Sequence, residues 1–193
     1  MDNKLNFKEH IDKISNKVKS ANGILWKLSQ YVPSQVLTKI YYSLVYPFLI
    51  YGVEIWGNSS QVGLNRLSRL VQTAQKRTIS QTNLSQNANK FLSVSQIFQF
   101  YSLVRCYKYY KLKSNTYFYE KFFSLHPTHG INTRFNYNNN FNTPIINIRK
   151  IQSSFFISAI DYWNKLPPSI RDSENISSFK NKTRKYLEEQ TQI

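Results

Sequence analysis

Nucleotidyl transfer needs at least two carboxylates close together, holding two divalent cations about 4 Å apart. The sequence carries ten acids: Asp2, Glu9, Asp12, Glu54, Glu120, Asp161, Asp172, Glu174, Glu188 and Glu189. None forms an Asp-Asp pair, and the adjacent pair Glu188-Glu189 lies near the C-terminus, where it reads as a solvated face. One cysteine, Cys106, and three histidines, His10, His126 and His129, are too few for a structural zinc site or a disulfide framework. Cys106 falls in a helical pattern with no histidine beside it, so a buried thiol is expected rather than a nucleophile. No elbow motif marks a serine, and the five glycines form neither a P-loop nor a dinucleotide fingerprint. We expect no catalytic residue, no metal and no cofactor in this chain.

The remaining chemistry is binding. Lys and Arg number 26 against 10 Asp and Glu, a net charge of +16, alongside 14 Tyr and 13 Phe. An anionic partner with flat faces suits both features: nucleic acid meets both conditions, a membrane surface only the first. Residues 58–125 hold 10 basic residues and a single acid, net +9, against +3 before them and +4 after. A polyanion is therefore expected there. Two clusters stand out. Arg66, Arg69, Lys76 and Arg77 fall within about 100° of one helical wheel, suited to contacts with a phosphate backbone. Arg105, Lys108 and Lys111 alternate with Tyr107, Tyr109 and Tyr110, a pattern for tracking a strand while stacking its bases. Tyrosines at those offsets point all round a helix, so part of the second set belongs to the core instead. Partners are read as RNA and DNA, contacted without sequence preference.

The elements that must carry these residues are helical. Ile11, Ile14, Val18, Ile24, Leu25 and Leu28 predict a first helix from Phe7 to about Ser29. Leu37, Ile40, Tyr41, Leu44, Val45, Phe48 and Leu49 predict a second, opened near Pro33 and kinked at Pro47. A short link makes these two an antiparallel hairpin. A third helix, about Val62 to Ser80, has Leu64, Leu67, Leu70, Val71 and Ala74 on its core face and the first basic cluster on the other. After a polar link from Gln81 to Lys90, a fourth runs from Val94 to about Lys113. Then come a short helix around Tyr117–Phe123, an Asn-rich surface loop from His126 to Thr143, and a short strand at Pro144–Ile148. Two terminal helices follow, Ser154–Lys165, stopped by Pro167-Pro168, and Ser177–Glu189, with Trp163, Leu166 and Phe179 as core. The fold class is mainly α: a bundle of about four helices in 1–113, then a C-terminal extension in 114–193. No apolar run reaches the roughly 20 residues of a membrane span, and MDNKLNFKEH lacks a signal peptide's apolar stretch. An intracellular, non-secreted chain is expected.

Three blocks go further than composition. They are KLNFKEHIDKISNKVKSANGILWKL followed by IYYSLVYPFLIYGVEIWG; LNRLSRLVQTAQKRTIS; and HGINTRFN with FFISAIDYWNKLPPSIRDSENISSFKNKTRKYL. In that order they resemble the C-terminal portion of the reverse transcriptase of non-LTR (LINE-type, jockey-like) retrotransposons, from about Leu5 to Leu187. The most specific elements are Tyr51-Gly52 with Trp56-Gly57, Gln75-Lys76-Arg77, Thr133-Arg134, and Trp163-Asn164 with Leu166-Pro167 and Phe179-Lys180. The resemblance implies a helical thumb that grips a template–primer duplex. It also implies a fingers and palm domain as partner, where that family keeps its Tyr-x-Asp-Asp box and metals, neither of which this sequence carries. The expectation is a fragment of an RNA-directed DNA polymerase that binds nucleic acid and has no polymerase activity of its own. A repurposed nucleic-acid-binding protein and a helical protein-docking module stand as alternatives.

Overall fold

The computed structural model describes residues 7–79, 91–117, 119–120, 141 and 155–190. Among them the regular elements are helices: α1 (Lys8–Leu28), α2 (Ser34–Leu44), α3 (Tyr46–Ile50), α4 (Val53–Trp56), α5 (Gln61–Ile79), α6 (Val94–Tyr110), α7 (Phe155–Lys165), α8 (Pro168–Arg171) and α9 (Ile176–Glu189). The fold is mainly α, as expected. The third and fourth helices of the sequence are α5 and α6. The chain divides into two compact units, Met1–Phe98 and Gln99–Ile193. The division falls inside α6 and not at 113/114, because Leu103, Val104, Cys106 and Tyr107 pack into the core of the second unit. The link 81–90, nearly all of the Asn-rich loop and the strand at 144–148 lie outside the described residues. Of the helix expected around Tyr117–Phe123, residues 117, 119 and 120 are helical and the rest of the segment is likewise outside them.

In the first unit α1 buries Ile11, Ile14, Val18, Ala21 and Leu25, a stripe at helical spacing. Ile24, expected inside, is 46% exposed, and Leu28 is half-buried. The second helix is not one kinked rod. Pro47 cannot donate to the ladder and its ring crowds the preceding turn, so the helix ends at Leu44 and restarts as α3 with the proline in its first turn. The buried line Leu37, Tyr41, Val45 and Leu49 runs through the break at every fourth residue. α2 to α4 return along α1 as an antiparallel arm, bringing Phe48 beside Lys17 and Trp56 beside His10.

α1 and α5 run parallel. Ile11 approaches Gly63, Asp12 pairs with Arg66, and Asn22 reaches Leu70 and Arg77 further along. On α5 the buried side chains are Leu64, Leu67, Val71, Ala74, Gln75 and Thr78; Leu70 lies at the edge, half-buried. Gln75 spends its amide inside, donating to Tyr41 Oη at 3.1 Å and to the carbonyl of Leu92 at 3.0 Å. Gly57 admits no side chain: a Cβ there would stand 2.5 Å from the carbonyl oxygen of Val53 and 2.6 Å from Phe98 Cδ2.

The second unit is built on aromatic packing. Tyr107 stacks on Phe179 at 4.3 Å between ring centres, and Trp163, Phe141, Leu166 and Ile170 complete the core. Trp163, Leu166 and Phe179 are buried, as expected. Pro167-Pro168 ends α7 and starts α8, whose first residue is Pro168. Asn175 then caps α9 by accepting from the amide of Ser178 at 2.8 Å. The core also includes Phe141, from the stretch read as surface loop, and Cys106, whose thiol burial pushes well above its usual range. Cys106 is thus a buried thiol.

Candidate nucleic-acid interface

α5 displays the first basic cluster because its apolar residues claim the opposite arc. Arg66, Arg69 and Lys76 are exposed, and Arg77 is half-buried. They are not equivalent. Arg77 donates from Nη1 to the carbonyl oxygen of Asn22, whose own amide donates to the carbonyl of Leu70 at 2.9 Å. This reciprocal pair fastens α5 to α1, so Arg77 is committed to the scaffold as well as to the basic face. Arg66 pairs with Asp12 at 3.1 Å. Both side chains are largely exposed, and such a pair is worth about 0–1 kcal/mol, so a phosphate can displace the carboxylate at little cost. Arg69 and Lys76 have no side-chain partner among the described residues.

The parallel packing adds residues that lie more than forty positions away in sequence. Between α1 and α5 runs a shallow groove of about 320 Å³, lined by Lys19, Gly23 and Trp26 on one side and Leu70, Thr73 and Arg77 on the other. Trp26 is 54% exposed. α1 thus extends the cationic face of α5 with a further ammonium group and an indole. Reading the sequence missed both. Lys19 and Trp26 are seven residues apart, two helical turns, and both lie off the buried line of α1; that offset was the available signal.

The second basic cluster fares differently. Tyr107 is buried, its ring against Phe179 and its hydroxyl donating to the carbonyl of Ser173 at 2.7 Å. It cannot serve as a stacking platform, and the expectation is corrected on that point: the periodic core of α6 claims it. Arg105 lies over the ring of Tyr109 at 5.8 Å, and both are half-buried. Lys111 sits 5.7 Å from the ring centre of Tyr110 and 3.9 Å from Asp172. Lys108 is half-exposed. Burial first, and then the neighbours Tyr119, Cys106 and Asp172, raise the pKa of Tyr110. This stretch is aromatic scaffold with cations at its margin, and Asp172 offsets part of its charge.

Among the described residues no three His, Cys, Asp or Glu side chains gather as metal ligands would, and no helix is long and apolar enough to cross a membrane. Compared with known proteins, the chain matches no family model, no curated protein and no solved structure.

Proposed function

We propose that the chain is a sequence-nonspecific nucleic-acid-binding module that holds a template–primer duplex, the part played by the thumb of a non-LTR reverse transcriptase. The observation that carries this reading is the cationic arc of α5, where Arg66, Arg69 and Lys76 are exposed and Arg77 lines one groove with Lys19 and Trp26 of the parallel helix α1. α5 has no acid along its length to oppose a phosphate. Contacts of this kind read charge and spacing rather than bases, as a protein sliding along its product requires. The order of the three sequence blocks supports the same assignment. The module works in the cytoplasm or nucleus, and a palm and fingers domain supplies any polymerase chemistry.

The test is anisotropy of two unrelated RNA–DNA duplexes titrated with the protein at several salt concentrations. The reading expects equal affinities for the two and a steep loss of both with salt. A preference above about ten-fold for one sequence, or binding indifferent to salt, contradicts it.

A further inference from the structure

α1 has a second cationic side. His10, Lys13, Ile14 and Lys17 follow the i, i+3, i+4, i+7 stripe, and on the wheel Lys13 and Lys17 lie opposite Lys19 and Trp26. Facing that stripe are α3 and the turn into α4. Two adjoining cavities of about 620 and 560 Å³ share His10, Lys13 and Tyr51, making one open groove. Lys17 Nζ stands 4.5 Å over the ring of Phe48, holding an ammonium at the rim. Lys8 and Glu9 lie at the end toward Trp56, where Glu9 is the single acid among the lining residues.

Tyr51 is the unusual member. It is 76% exposed, yet its backbone is fixed on both sides. Its amide donates to the carbonyl of Pro47 at 3.2 Å, and the buried indole of Trp56 donates to its own carbonyl at 2.7 Å. Gly52 follows at φ 62°, a left-handed conformation that glycine adopts without strain. The turn holds an aromatic ring out into solvent above a groove edged with lysines. At the floor, His10 Nε2 is buried without a hydrogen-bond partner among the described residues.

We infer that this groove binds single-stranded nucleic acid, with a base stacked on Tyr51 and phosphates held by Lys13 and Lys17. A single strand fits where a duplex does not, because paired bases hide their faces in the stack and an unpaired base offers one. The excess of cations over the lone Glu9 favours a polyanion over an apolar protein segment. The inference rests on the nucleic-acid reading above but uses different residues, so the two can fail separately.

The experiment compares the full chain with Tyr51→Ala, Tyr51→Phe and Lys13→Gln/Lys17→Gln on a labelled twelve-nucleotide oligothymidylate and on a duplex, with circular dichroism as folding control. Tyr51→Ala should weaken oligothymidylate binding by at least about five-fold, the low end for one stacked base, and Tyr51→Phe should restore it. The double lysine variant should flatten the single-strand salt slope by about 1.4, at roughly 0.7 per contact. Duplex affinity should stay the same in all three. A folded Tyr51→Ala protein within two-fold of the parent on oligothymidylate overturns the inference. Duplex binding with no single-strand binding overturns it alone, and binding to neither overturns both readings. Single-strand binding that depends on Tyr51, without duplex binding, upholds this groove and overturns the duplex reading. A 4-thiothymidine oligonucleotide photo-cross-linked to the unaltered chain should attach within the peptide carrying Tyr51; attachment solely elsewhere rejects the site.

Discussion

Asn164 holds Phe141 by both of its main-chain polar groups. The side-chain oxygen accepts from the Phe141 amide at 2.9 Å, and the side-chain amide donates to the Phe141 carbonyl at 2.8 Å. One side chain thus satisfies a residue whose ring lies fully buried beside Trp163 and Tyr110. Replacing Asn164 by Ala removes both bonds and should cost about 1–3 kcal/mol, at roughly 0.5–1.5 kcal/mol each. Asn164→Asp keeps the acceptor but sets a carboxylate against a carbonyl, so it should not rescue. Urea unfolding measures both; a loss under about 0.5 kcal/mol in each contradicts the clamp.

Tyr107→Phe separates scaffold from binding surface. Removing the hydroxyl strands the Ser173 carbonyl in a buried position and should destabilise the protein by about 1–3 kcal/mol. Oligonucleotide affinity should not move, since the ring faces Phe179 and not solvent. A stable variant with weakened binding would return Tyr107 to the interface.

Two glycines should respond with opposite signs. Gly23 lies inside α1 with no described atom within 4 Å of an added Cβ, so Gly23→Ala should stabilise by about 1 kcal/mol through helix propensity. Gly57→Ala drives a methyl into Phe98 and the Val53 carbonyl and should cost about 1–3 kcal/mol. Thermal unfolding of the two proteins checks the order, and equal midpoints would refute the packing at Gly57.

His10 links stability to pH. Burial chiefly, then the charges of Lys13 and Lys17, hold its pKa below the ordinary 6.5. Below 6.5 the unfolded chain therefore takes up a proton that the folded chain refuses. Stability should fall as pH drops through that window, and this contribution stops changing once pH passes below the folded value. His10→Gln, neutral throughout, should lose less stability between pH 7 and pH 5 than the parent. Parallel pH profiles would show that His10 is not the group responsible.

Much of the helical scaffold was legible because its signals are local. The stripes of α1 and α5 follow helical spacing, and Pro167-Pro168 marks the stop after α7, whereas Pro47 reads as a kink and the helix breaks there instead. What was not legible depends on pairing between distant segments. Nothing near Arg77 in sequence shows that it serves the Asn22 carbonyl, and nothing in the Asn-rich stretch shows that Phe141 is core while its neighbours are polar. The candidate interface divides along the same line. The cations of α5 were visible as one arc of a wheel, whereas Lys19 and Trp26 joined them through the parallel register of α1 and α5. Tyr107 failed as a stacking residue because α6 alone cannot show which of its tyrosines meets Phe179.

The measurement that bears most directly on the account is the salt dependence of duplex binding in the double variant Arg69→Gln/Lys76→Gln. Both residues are exposed and lie off the buried face of α5, and glutamine is a comparable helix former, so the protein should keep its fold. If each contacts a phosphate, the slope of log affinity against log salt should flatten by about 1.8, at roughly 0.9 per contact, equally on two unrelated duplexes. A folded double variant with the parent's slope would take the α5 face out of the nucleic-acid surface and contradict the central claim.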